Sequence, residues 1–141
     1  MKLATRIAAG SISTLAILGT LLATPAMAAG PSHDYLAKYG NSFTEGTVSW
    51  SDSGYDVTIT GKMHVAAGAS CGQTGFEGWA GYYVDDRDST GSMCTAGDFT
   101  VKETLTTDRR GGFDKVWVEY KVGGTVRAEG WCYRTTGCKW I

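Results

Sequence analysis

From Phe43 onward the chain repeats every two residues rather than every 3.6. Tyr55, Val57, Ile59, Gly61, Met63 and Val65 alternate with Asp56, Thr58, Thr60, Lys62 and His64. Successive side chains of an extended strand point to opposite faces, so this pattern predicts a strand with one face buried. Thr47–Trp50 and the turn Ser51-Asp52-Ser53-Gly54 precede it, and together they predict a hairpin. A third strand is expected over Phe76–Asp85, with Phe76, Gly78, Ala80, Tyr82 and Val84 on one side and Trp79 and Tyr83 on the other. A polar loop, 86–98, then leads to the alternation Phe99, Val101, Glu103, Leu105.

Asp108-Arg109-Arg110-Gly111-Gly112 predicts a turn, followed by Val116, Val118, Tyr120 and Val122 in alternation. Gly123-Gly124 can supply the two positive φ values of a type I′ hairpin. The returning strand is expected from Thr125 to about Tyr133, with a short last strand or cover at Trp140-Ile141. Six to seven strands, frequent turns and no amphipathic helix in this region predict an all-β fold, an antiparallel β-sandwich or small barrel.

The first 29 residues follow a different rule. Lys2 and Arg6 precede an apolar core interrupted by Ser13, Thr14, Gly19 and Thr20, and Pro25 precedes Ala26-Met27-Ala28-Ala29. This is the pattern of a secretory signal peptide over 1–29, too short and too broken for a membrane anchor. Secretion to the extracellular space is therefore expected, with no membrane insertion. Without the leader, Lys+Arg falls from 13 to 11 against 14 Asp+Glu. No basic block remains, which argues against a nucleic-acid partner.

Cys71, Cys94, Cys132 and Cys138 all follow the leader. An even count in an oxidising compartment predicts two disulfides. Three connectivities are open. Cys71–Cys94 and Cys132–Cys138 are favoured, because the second pair encloses a short loop with Gly137 and the first ties the ends of the third predicted strand. A metal–thiolate site is disfavoured by the lack of a C-x-x-C and by only two histidines, His33 and His64.

The catalytic inventory is thin. His64 falls on the polar parity of its strand, and no G-x-S-x-G accompanies Ser49, Ser51, Ser53, Ser70 or Asp56. Asp85, Asp86, Asp88, Glu103 and Glu119 could serve a glycosidase, but nothing in the spacing sets two at a working distance. No enzyme and no cofactor are expected. Asp86, Asp88 and Thr90, followed by Gly91, resemble the opening of a calcium loop, although position twelve is Gly97 rather than Glu.

Two groups of side chains are candidates for partner binding. Residues 30–42 are expected to form a flexible N-terminal arm with Tyr35, Leu36 and Tyr39 as anchors, ahead of a single β domain over 43–141. Trp79, Tyr83, Trp117, Trp131 and Tyr133 share the more polar parity of their strands with Lys115, Glu119, Lys121, Arg127 and Glu129. Such rings serve as interface hot spots or as sugar-stacking platforms if exposed, and as a second core layer if buried.

The Ala/Thr-rich leader, the Gly/Thr-rich strands and the four cysteines resemble the small secreted, disulfide-bridged all-β proteins of filamentous Gram-positive bacteria. In size, export, bridge count and N-terminal arm the chain is also similar to the adaptor subunit of the secreted umbrella toxin particle. The resemblance implies a non-enzymatic protein-binding module, either an adaptor in an extracellular toxin complex or an inhibitor of a secreted hydrolase. The implied partner is another secreted or cell-surface protein. The alternative is a lectin-like module that binds polysaccharide on the aromatic face.

Overall fold

The computed structural model describes residues 29–141. The expected leader lies outside the described residues except for Ala29. Nine strands follow in order: β1 (Ala29–Tyr39), β2 (Ser42–Ser51), β3 (Asp56–Val65), β4 (Gly72–Ala80), β5 (Tyr83–Ser89), β6 (Gly97–Thr106), β7 (Lys115–Val122), β8 (Thr125–Tyr133) and β9 (Gly137–Trp140). They form two antiparallel sheets, β1-β2-β3-β6 and β5-β4-β7-β8-β9. Among the described residues no helix is long and apolar enough to cross a membrane.

Alternation drives the sheets together. On the four-stranded sheet Val48, Trp50, Val57, Ile59, Met63, Val65, Val101 and Leu105 face inward, and Phe76, Val116, Val118, Tyr120 and Cys132 face them from the other sheet. Burying this apolar area is the main force holding the layers, at roughly 25 cal/mol per Å² removed from water. Phe113, from the loop between β6 and β7, plugs one end. Its N–H donates to the Gly54 carbonyl at 2.8 Å, and its ring fills the space that a side chain at Gly78 would need. Tight turns set the register: Gly123 and Gly124 both have positive φ, 61° and 78°, between β7 and β8.

The four cysteines are bridged as Cys71–Cys94 and Cys132–Cys138. The first ties the entry to β4 to the segment after β5. The second clips the short edge strand β9 onto β8, where the two cysteines stand directly opposite each other.

Four expectations need correction. Residues 30–42 are not a flexible arm. β1 pairs with β2 from Ser32↔Ser49 to Tyr39↔Ser42, and Tyr35 and Ala37 are core residues. Gly30, Pro31 and Gly40 suggested a break, but Gly30 and Pro31 lie near a bulge at the start of the strand and Gly40 lies in the turn after it. The single strand expected over Phe76–Asp85 is a hairpin, since Gly81 turns the chain at φ 65° between β4 and β5. The polar loop expected to begin at Asp86 instead continues β5 to Ser89. With β1 and a separate β5 beside the short last strand β9, the strand count is nine rather than six or seven.

Candidate functional site

The five-stranded sheet fills the core with one face and turns the other to solvent. Two adjacent cross-strand rows run over that outward face. One row is Glu77–Trp117–Trp131–Lys139 and the next is Trp79–Lys115–Tyr133–Gly137, each set by the pairing of β4, β7, β8 and β9. Directly opposed residues on one face of a sheet bring their Cβ atoms to about 5 Å, close enough for rings to meet.

Trp131 is the hub. Its ring centroid lies 4.7 Å from Trp117, 5.3 Å from Trp79 and 6.4 Å from Tyr133. The planes are not parallel: Trp79 meets Trp131 at 77° and Trp117 meets it at 59°. The Lys115 ammonium sits 4.6 Å from the Trp131 ring centre and 5.4 Å from that of Trp79. A cation over an indole face is held by the ring quadrupole, and here one cation serves two rings. All four rings are half-buried, because they cover one another while leaving their outer edges open.

Charges rim this patch. The Trp79 indole N–H donates to Glu77 at 3.3 Å, and Arg87 holds the other Glu77 oxygen at 3.0 Å. Lys121 pairs with Glu119 at 2.5 Å. An aromatic centre thus lies inside a rim of paired charges.

Of the five rings expected together, four are. Tyr83 stands apart because the hairpin turn and a bulge between Gly78 and Trp79 shift its register. It is open to solvent, and Arg109 lies 4.7 Å from its ring centre. The expected arm anchors also separate. Tyr35 is buried against Phe76 at 5.9 Å, whereas Leu36 and Tyr39 are exposed, with Arg127 4.9 Å from the Tyr39 ring.

Glu77 and the bridging role of Lys115 were missed in the sequence. The signal was present in part, since Glu77 lies two residues before Trp79 on one parity and Lys115 two before Trp117.

The calcium-like stretch is not a loop, because Asp86 and Asp88 belong to extended β5. The Asp86 carboxylate accepts the Thr106 N–H at 2.9 Å, stitching β5 to β6. Thr90 is spent locally, accepting the Thr74 N–H and donating to the Gly91 carbonyl. Among the described residues no three of His, Cys, Asp or Glu gather where a metal ion could be held.

The remaining carboxylates are engaged in the same way. The Thr107 hydroxyl, and then the Arg109 guanidinium, hold the Asp85 carboxyl below its usual range. Glu103 turns toward the interior on β6 and meets Asp88. Burial, and then the Asp88 carboxyl, push it above the usual range. Two carboxyls in contact are closer than the pair that flanks the scissile bond in a glycosidase. His64 stacks on Phe43 at 5.1 Å and contacts Asp98 at 2.7 Å on the outer face of the other sheet. His33 hydrogen-bonds to the Arg134 carbonyl at 3.0 Å, joining β1 to the turn after β8.

Comparison of the chain with protein families, with curated proteins and with solved structures finds no match. The geometry therefore carries the functional argument alone.

Proposed function

We propose that this chain is a non-enzymatic extracellular module that binds another secreted or cell-surface protein, as an adaptor subunit or as an inhibitor of a hydrolase. The observation that supports it is the cluster of Trp79, Trp117, Trp131 and Tyr133 around Lys115, on the solvent side of a sheet whose other side already fills the core. Large aromatics placed outside the core are costly to solubility unless a partner uses them. The two disulfides fit an oxidising compartment.

The tilts of the rings favour a protein over a polysaccharide. Stacking on a flat glycan chain calls for rings spread in one plane. Rings at 77° and 59° to each other instead offer relief for side chains to dock into.

The test is affinity purification of the protein from the culture supernatant of its source, followed by mass spectrometry. It is repeated with the double variant Trp117→Ala, Trp131→Ala. A stoichiometric protein that co-purifies with the natural chain and is lost with a folded variant supports the reading. Retention on insoluble polysaccharide that the variant loses would transfer the face to a glycan. A partner indifferent to both changes would remove the tryptophan face from the interface.

A further inference from the structure

The first strand ends the four-stranded sheet; among the described residues no strand pairs with its outer edge, and Trp140 of β9 stands beside it at Asp34–Leu36. Among the described residues no backbone hydrogen bond joins β1 to the other sheet. An unpaired edge is a template for another strand, and proteins that stay apart blunt such edges with bulges, prolines or charges. Here Pro31 and a bulge between Ala29 and Ser32 blunt the first few residues, and further along the edge carries one charge of each sign, Asp34 and Lys38. From Ser32 to Tyr39 the strand is regular.

Exposed apolar side chains collect beside that edge. Eight large hydrophobic residues stand open to solvent among the described residues, and four of them, Leu36, Tyr39, Trp140 and Ile141, lie on or beside β1. Leu36, Trp140 and Ile141 line one depression where β1 passes β8 and β9.

The outward side chains of β1 decide what covers the edge. Tyr35 and Ala37 face the core, so Asp34, Leu36 and Lys38 share the outer face and all three are exposed. Neither Asp34 nor Lys38 takes part in an ion pair among the described residues. The one side-chain contact of Asp34 is the Thr47 hydroxyl, which donates to it at 3.0 Å. The charges are placed symmetrically, two residues either side of Leu36.

We propose that β1 pairs with β1 of a second copy of this chain, antiparallel, about a twofold axis at Leu36. In that register Leu36 meets Leu36 of the second copy, and each Asp34 stands opposite a Lys38. One self-complementary patch thus satisfies both charges twice, which is what a twofold interface requires. A strand from an unrelated protein would supply backbone partners but has no reason to match this charge order. The pairing joins two four-stranded sheets into one of eight strands. The axis is perpendicular to the sheet, so both tryptophan faces look the same way. The dimer is therefore bivalent, and a partner with two sites would be held by avidity. The pairing itself does not depend on what the tryptophan face binds.

Sedimentation equilibrium of the purified protein over a concentration series tests it. The natural chain should show a concentration-dependent dimer. Asp34→Lys sets Lys against Lys twice and should weaken dimerisation about tenfold, as should Lys38→Asp. The double variant Asp34→Lys with Lys38→Asp restores opposite charges and should restore the dimer. Leu36→Lys, at an exposed site away from Thr47, is an independent disruption, and thermal melting confirms that each variant is folded. A natural chain that stays monomeric throughout overturns the proposal. So does a dimer indifferent to the single reversals, or one that the double reversal fails to rescue. Protection of the β1 amides that appears only when another protein is added would assign the edge to that protein and equally overturn it.

Discussion

Replacing Trp131 by Ala should leave the protein folded, and replacing Trp50 by Ala should not leave it comfortably so. Trp131 makes two close ring contacts and holds Lys115 over its face. Each aromatic pair contributes about 0.5–1.5 kcal/mol and an exposed cation contact about 0.5–1 kcal/mol. Solvent at the outer ring edges favours the lower values, so the loss should be about 1.5–2.5 kcal/mol. Trp50 is 2% exposed, between the sheets, and removing it opens a cavity. Substitutions of that kind cost about 3–5 kcal/mol. For a domain of this size each kcal/mol shifts Tm by about 4 °C. The expected drops are therefore about 6–10 °C for Trp131→Ala and about 12–20 °C for Trp50→Ala. Urea titration with a shared slope gives the free energies, and thermal melting checks them. A Trp131→Ala cost equal to that of Trp50→Ala would refute the reasoning. The aromatic face would then be a structural layer, and its exposure would need no partner to explain it.

Three further outcomes concern Tyr35, Glu103 and the first disulfide. Tyr35 and Thr44 lie side by side in the core with no hydrogen bond of normal geometry, and burial pushes the Tyr35 hydroxyl up to about 12. Its folded pKa is raised, so its contribution is complete below the unfolded value near 10 and is lost as pH rises through about 12. The shift of about two units corresponds to about 2.7 kcal/mol. Alkaline unfolding of Tyr35→Phe should lack that loss. Glu103 is also raised, by burial first and by Asp88 second, so its contribution is complete below the ordinary glutamate range and is lost as pH rises through the raised value. Glu103→Gln should therefore be more stable than the natural chain at neutral pH, measured by urea titration, and a lower stability would show that Glu103 is ionised in a favourable pair. Removing the Cys71–Cys94 bridge, with 23 residues of separation, should cost about 3.4 kcal/mol by the chain-entropy relation, read from the melting of the double alanine variant.

The alternation made most of the sheet legible. Five of the nine strands, β2, β3, β6, β7 and β8, follow from runs of apolar residues at every second position, and β4 does so only over its second half, Phe76–Ala80. The strands that escaped are those where burial does not alternate cleanly. β5 is an edge of its sheet, and the run Asp86-Arg87-Asp88-Ser89 reads as a loop because it is polar throughout, with carboxylates that find partners across the seam with β6. β1 has only two fully buried residues, Tyr35 and Ala37, and lies among loop-forming residues. The side of the sheet occupied by the tryptophans was open in the sequence, yet the cysteine pattern bears on it. Cys132 belongs to the core, so Trp131 and Tyr133 on either side of it must point outward. A bridge whose second half is the short edge strand β9 thus fixes the parity of the whole aromatic face.

The same sheet geometry accounts for the contrast between the carboxylates and the aromatic rings. Asp85, Asp86, Asp88, Glu77, Glu119 and Asp98 each have a specific partner: Arg109, the Thr106 N–H, Glu103, Arg87, Lys121 and His64. Those pairings close the β5–β6 seam, steady the rim of the aromatic patch and hold β3 to β6. The rings at Trp79, Trp117, Trp131 and Tyr133 satisfy one another only in part, because a flat sheet face cannot wrap them as the core wraps Trp50. The unsatisfied outer edges of those rings, flanked by charges already fixed in place, form a prearranged surface that would cost the proposed partner little further ordering.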